Sequence, residues 1–291
     1  MNRTLLVVLI VVGVLLGGIL LALFAVAFAS GGSDGGVAIG KGLGYVEVKG
    51  TIVESEDIVR ELKSLEANSM VKGILLRINS PGGVVAPSHD IYAEVKRISE
   101  EGTPVIASFG SLAASGGYYI AAPADLIIAS PQTLTGSIGV IMEFPVVERA
   151  MDKLGLSVEV IKSREHKDVG SPFRPMTERD RGLLQGVVAD AYDQFVEVVS
   201  QGRELPRDSV EKFADGRILT GRQALALGLV DTLGTFEESK RIAAEFCGID
   251  GEPRLIRAPR RMNWWWRRLM ESTGDALFGR LRSPRLSYTW Y

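Results

Sequence analysis

The sequence predicts an α/β domain built on buried parallel strands, with a helical C-terminal part and one transmembrane helix in front. Three observations predict it. Short apolar runs alternate with amphipathic helical patterns from Tyr45 to Ile161, the twenty-five residues Leu5 to Ala29 carry no charge, and a glycine-rich stretch separates the two. A chain of 291 residues can bury a full enzyme core. The single cysteine, Cys247, excludes an intramolecular disulfide framework and a cysteine-rich zinc module, and two histidines, His89 and His166, are too few for most metal sites. A net charge of −2 argues against nucleic acid as a partner.

Taken in order, the first element is Leu5 to Ala29. At about 1.5 Å per residue this helix would be roughly 37 Å long, more than the roughly 30 Å hydrocarbon core of a bilayer. A retained anchor is expected, with cleavage after the small-x-small triplet Ala27-Phe28-Ala29 as the alternative. Arg3 precedes the helix and Asp34 is the first charge after it, so the N-terminus stays cytoplasmic and the rest is extracytoplasmic. From Gly31 to Gly44 seven of fourteen residues are glycine, a flexible tether. The expected organisation is an anchor over residues 1–30, a linker over 31–44, a globular domain over 45–250 and a tail over 251–291.

Within the domain, strands are expected at Tyr45–Val48, Gly73–Ile78, Pro104–Phe109, Leu126–Ala129, Ser137–Ile141 and Ser157–Ile161. Helices are expected at Glu56–Leu65, Pro87–Ser99, Ser115–Ala122 and Pro145–Leu154. A long helix starts at Thr177, with Asp180 as a weakened capping box, and carries Leu183, Leu184, Val187, Val188, Ala191, Tyr192, Phe195 and Val199 at helical spacing. Shorter helices follow near Arg207–Phe213, Arg222–Leu227 and Glu237–Phe246. The tail from Pro259 holds seven arginines against Glu271 and Asp275, with Trp264-Trp265-Trp266-Arg267-Arg268 in it. Such a segment suits a bilayer headgroup region or is simply solvated.

Two loops carry the chemistry. The strand Gly73–Ile78 ends in Asn79-Ser80-Pro81-Gly82-Gly83, where glycines expose main-chain N–H groups that can hold an oxyanion. The strand Pro104–Phe109 leads to Ser115-Gly116-Gly117, which sets a hydroxyl at a loop-to-helix junction where N–H groups favour developing negative charge. The N–H of Gly83 or Gly82 and that of Gly116 are the candidate donors. A serine hydroxyl needs a base. His89 beside Asp90 is one candidate, although sequence neighbours on a helix point apart. The other is a lysine held neutral by desolvation, its pKa lowered from about 10.4 toward about 7 or 8. Lys162 and Lys167 both lie in the irregular stretch after Ile161, and composition does not choose between them.

These motifs, with Thr135-Gly136-Ser137-Ile138-Gly139-Val140, His166-Lys167-Asp168, Ala214-Asp215-Gly216-Arg217 and Gly221-Arg222-Gln223-Ala224, occur in order over about Tyr45 to Gly248. Together they resemble the signal peptide peptidase A family, membrane-anchored serine peptidases with a Ser/Lys dyad on a Clp protease/crotonase-like ββα spiral. The resemblance implies Ser115 as nucleophile and Lys167 as general base, with Lys162 as understudy. It implies Gly83 and Gly116 as oxyanion donors and Thr135, Gly136, Ser137 and Ile138 along the substrate groove. The short form of the family implies a homo-oligomeric ring in which a neighbouring protomer supplies the lysine.

The expected reaction is acyl transfer to water, with no metal or organic cofactor. The resemblance further implies remnant signal peptides, with other apolar peptides at the membrane, as substrates. The segment Leu286–Tyr291 is a further candidate ligand for the chain's own groove. A membrane-protein quality-control protease of related fold is the alternative. A crotonase-type acyl-CoA enzyme and a non-catalytic scaffold would leave Ser115 and Lys167 idle.

Overall fold

Period-two alternation writes both faces of the central sheet into the strands. A computed structural model of the chain describes residue 18, residues 41–258 and residues 287–289. Strand β1 (Gly42–Lys49) pairs in parallel with β2 (Val71–Ser80), which pairs in parallel with β4 (Val105–Ala114). Val46, Val48, Ile74, Leu76, Ile78, Ala107 and Phe109 point to one face, while Leu43, Tyr45, Leu75 and Ile106 point to the other. Because both faces are covered, these strands are apolar nearly throughout, as buried parallel strands are.

Helices cover both faces. Helix α1 (Glu56–Glu66) contributes Leu62 and Leu65, and α2 (Val85–Glu100) contributes Ile91, Val95 and Ile98 to the first face. The four-residue α3 (Gly116–Tyr119) follows β4, and α4 (Glu148–Lys153) lies outside the core. The long α5 (Glu178–Gly202) sends Phe195, Val196 and Val199 into the same core, and Phe195 meets the Tyr119 ring at 5.0 Å between centroids. Short helices α6 (Arg207–Glu211) and α7 (Gly221–Ala226) precede α8 (Phe236–Phe246), whose Ala243 covers the second face.

Strand β4 is the branch point of the sheet. Its first half, Ile106–Ser108, pairs with β5 (Leu126–Ala129), and its second half, Leu112–Ala114, pairs with β6 (Leu134–Gly136). Beyond β6 lies the antiparallel β7 (Ile218–Thr220), β5 carries β8 (Thr232–Leu233), and β1 carries β9 (Leu255–Ile256). This mixed α/β architecture around a parallel sheet fits a Clp protease-like fold. Separately, β3 (Gly82–Val84) pairs antiparallel with β10 (Ser287–Thr289), Tyr288 lying opposite Gly83.

Several expectations need correction. The strand predicted at Ser137–Ile141 sits earlier, at Leu134–Gly136, since those residues find hydrogen-bonding partners on β4 and β7. Ser157–Ile161 forms no strand: its alternating apolar residues have no partner strand among the described residues, and Leu156, Val158, Val160 and Ile161 are exposed. Strand β4 extends past Phe109 to Ala114, and the helix predicted from Ser115 starts one residue later and stops at Tyr119. The Thr177–Asp180 capping box forms in full, with both reciprocal bonds present. Among the described residues no helix is long and apolar enough to cross a membrane. The predicted span Leu5 to Ala29, apart from Gly18, lies outside the described residues, as do residues 31–40 of the linker and most of the tail.

Candidate active site

Strand β4 delivers Ser115 through a bulge. Its register with β2 passes from Ile78 opposite Phe109 to Ser80 opposite Ala113, so two extra residues are accommodated on β4. The Asn79 side chain fills the step, its Oδ1 accepting the Leu112 N–H at 3.2 Å. Ser115 then turns with φ 53° and ψ −120°, a left-handed conformation that is rare outside glycine. Strain of this kind costs about 1–3 kcal/mol and persists only where the surroundings impose it. Here they do: the Ser115 N–H donates to the Gly136 carbonyl at 2.8 Å, and its own carbonyl accepts from Tyr118 and Tyr119 at 2.9 Å each. The next turn is locked by Tyr118, whose hydroxyl donates to the Leu229 carbonyl at 2.8 Å and whose burial raises its pKa above the ordinary phenol value.

The consequence is a buried hydroxyl without a partner. Ser115 is 1 % exposed, and its Oγ has no hydrogen bond among the described residues. Leaving such a group unsatisfied costs about 1–3 kcal/mol, so its retention points to a role outside the resting single chain.

Two glycine main chains meet at the residue that follows Ser115. Gly82 donates its N–H to Ser80 Oγ at 3.0 Å, and its carbonyl accepts from Ile52 at 2.9 Å. Val84 donates to the Ile52 carbonyl at 2.7 Å, which seats β3 beside Ile52 so closely that any Cβ on Gly83 would collide with the Ile52 main chain. A Cβ on Gly116 would lie 2.7 Å from Ser88 Oγ and 3.1 Å from the Gly83 nitrogen. The two backbones therefore meet with no room for a side chain between them. Of the two expected alternatives on this loop, Gly82 has its N–H occupied by the turn itself.

The expected groove residues back the serine turn. Thr135 is fully buried and donates its hydroxyl to the Ala113 carbonyl at 2.6 Å. Gly136 accepts from Ser115, Ser137 has φ 50° and donates to the Arg217 carbonyl at 2.8 Å, and Ile138 is buried in the core. The main chain of Leu134–Gly136 is paired on both sides, with β4 and with β7, so this segment supports the serine turn from within the sheet.

The candidate bases separate clearly. His89 is exposed, and its Nδ1 lies 3.0 Å from the Tyr119 hydroxyl, while Asp90 accepts from Ser55 Oγ at 2.8 Å. The two neither bond each other nor reach Ser115, so the histidine alternative is not assembled. Lys162 donates to Asp168 at 2.7 Å in an ion pair. Lys167 stands on a 3-10 turn (Glu165–Asp168), exposed, with no side-chain hydrogen bond or ion pair among the described residues. Within one chain it is not bonded to Ser115.

Two features escaped sequence reasoning. Ser88 is fully buried at the Gly116 contact and donates to the Val84 carbonyl at 2.9 Å, on a helix whose periodicity marks only its apolar residues. Arg174 ties Asp168 to Asp180, with one acid six residues on either side of it in an otherwise irregular stretch.

Comparison with known proteins agrees with this geometry. The model of Peptidase family S49 matches residues 97–249, more than half of the chain. A Synechocystis protein named as a protease, slr0021, is 44 % identical over 212 residues, covering 72 % of this chain and 76 % of that protein. Protease 4 of Haemophilus influenzae is 37 % identical over 206 residues, 68 % of this chain but 33 % of its own length. The chloroplastic serine protease SPPA of Arabidopsis thaliana is 32 % identical over 215 residues, 74 % of this chain and 32 % of its own. The chain thus spans about a third of those two longer relatives. The buried serine on its strained strand-to-helix turn lies inside the matched region, and the chain belongs to Peptidase family S49, as a serine peptidase of the signal peptide peptidase A type.

Proposed function

We propose that this serine peptidase is an endopeptidase in which Ser115 is the nucleophile and Lys167, brought by a neighbouring copy of the chain, is the general base. The observation that carries the reading is the buried, unpartnered Ser115 hydroxyl beside the facing backbones of Gly83 and Gly116. Neutral Lys167 takes the hydroxyl proton as Ser115 Oγ attacks a peptide carbonyl, and the N–H groups of Gly83 and Gly116 receive the oxyanion. The resulting ammonium gives its proton to the departing amine, and water, activated the same way, releases the acyl group from Ser115.

The second copy is supported by exposed apolar surface. Leu154, Leu156, Val158, Val160 and Ile161 are exposed along one extended segment, and Leu183 and Val187 are exposed on the first turns of α5. A patch of this kind suits a protein partner. The Lys167 turn lies a few residues beyond that segment, so covering it brings the lysine toward another subunit.

Substrate would enter as an extended strand along β3. Pairing of Ser287–Thr289 with Gly82–Val84 supports this, because it uses the edge that carries the proposed oxyanion donor. The apolar Leu5–Ala29 segment would hold the enzyme in the membrane with its catalytic domain outside the cytoplasm, where remnant signal peptides and other apolar peptides are presented. Ser115→Ala and Lys167→Ala, each assayed on an apolar fluorogenic peptide, test the dyad. Both should abolish turnover, and full activity in either would refute it.

A further inference from the structure

Arg174 is surrounded with unusual completeness. Its Nε donates to Asp168 Oδ2 at 3.0 Å, and Nη2 donates to Asp168 Oδ1 at 3.1 Å and to the Asp168 carbonyl at 3.3 Å. Its Nη1 donates to Asp180 Oδ2 at 2.6 Å and to the Pro175 carbonyl at 3.1 Å. A guanidinium has five N–H donors in a rigid plane, and here each has an acceptor.

What these bonds join is the point. Asp168 is the last residue of the 3-10 turn that carries Lys167, and its carbonyl also accepts from the Ser171 N–H at 3.0 Å. Asp180 is buried in the first turn of α5, where its carboxylate accepts the Thr177 N–H at 3.2 Å and its own N–H donates to Thr177 Oγ1 at 3.1 Å. Further along, α5 is fixed in the core by Phe195 and Val199. Among the described residues the other side-chain ion pair from this turn to α5, Glu165 with Arg179 at 2.7 Å, is exposed at both partners, and pairs of that kind are weak. Asp168 is also neutralised twice over, by Arg174 and by Lys162.

We infer that Arg174 is a positioning residue for Lys167: it clamps the lysine-bearing turn to the N-terminus of α5, so that Lys167 is presented in one place. This rests on the reading of Lys167 as the base. A lysine at 174 cannot substitute, because an ammonium has three donors and no planar fork.

The test is steady-state kinetics of the full chain carrying Arg174→Ala, Arg174→Lys or Asp168→Asn, with Lys167→Ala as reference and thermal melting as the check of fold. Arg174→Ala is expected to lower kcat about 10²-fold while leaving KM nearly unchanged, the scale set by displacing a catalytic group by about 1 Å. Arg174→Lys should not restore it. Millimolar guanidinium ion should recover part of kcat in Arg174→Ala and none in Asp168→Asn, which lacks the carboxylate that would bind it. Asp168→Asn keeps the shape of the side chain, so it decides the matter if the arginine variants fold poorly. Near-wild-type kcat in a folded Arg174→Ala or Asp168→Asn alongside an inactive Lys167→Ala would overturn the clamp alone, as would a raised KM with unchanged kcat. An active Lys167→Ala would overturn the base assignment and the clamp together.

Discussion

Gly83 and Gly116, thirty-three residues apart in sequence, meet backbone to backbone beside Ser115, and a methyl group on Gly116 would sit 3.1 Å from the Gly83 nitrogen. The contact joins two loops that leave adjacent parallel strands, β2 and β4, at the same edge of the sheet. Two main-chain donors can converge on one point there only if neither residue has a side chain.

Gly116→Ala should therefore block the site rather than unfold the domain. Its methyl group would press on Ser88 Oγ and on Gly83, and loss of oxyanion stabilisation should lower kcat about 10²- to 10³-fold. Gly83→Ala has no space at all against Ile52, so it should lower both activity and melting temperature. Kinetics and calorimetry on the two variants check the difference.

Acidification should remove activity before it removes structure. Arg174 and then Lys162 hold the Asp168 carboxyl well below the usual carboxylate range, and Arg174 with the Thr177 groups lowers Asp180 to about 2. Both folded values lie below the unfolded ones, so their stabilising contribution is complete above about pH 4 and fades only as pH falls through the folded values. Between pH 5 and 8 these two acids stay ionised. An acid limb of the kcat/KM profile in that window, with the melting temperature holding steady, is therefore not due to these two acids, and its loss of activity without unfolding is the expected result for proton uptake by the base.

Charging the exposed segment should separate subunits. Val158→Asp and Leu156→Glu alter residues that are 45 % and 52 % exposed in the single chain, so its fold should survive. Sedimentation should report a smaller species, and activity should fall with it if the base comes from a neighbour. Retained assembly and retained activity in both variants would remove this surface from consideration.

Deleting residues 284–291 should raise turnover of added peptide. Ser287–Thr289 occupies the β3 edge in the structure, so its removal frees that edge. The apparent KM should drop, and a synthetic peptide of the deleted sequence should inhibit the shortened chain.

Much of this was legible in the sequence because burial has a period. The apolar runs of β1, β2 and β4 mark strands covered on both faces, and Thr177 with Asp180 marks the start of α5. Strand Gly82–Val84 was not legible, since two glycines after a proline read as a turn and become a strand only through Ile52 and the C-terminal residues. Ser157–Ile161 misled for the opposite reason: its alternation is real, but no partner strand exists in the described residues to complete it. The pairing of Lys162 with Asp168 joins residues in an irregular stretch, and no local pattern announces it. The Arg174 clamp is a matter of side-chain geometry between irregular segments, where no periodicity operates.

The most direct measurement mixes two inactive proteins. Ser115→Ala retains the lysine and Lys167→Ala retains the serine, so co-assembled subunits in equal amounts should regain about one quarter of wild-type sites if each site draws its two residues from different copies. Recovery of peptidase activity near that fraction is the expected result. Mixed assemblies, shown to have formed, that stay inactive would contradict a Ser115–Lys167 site shared between copies.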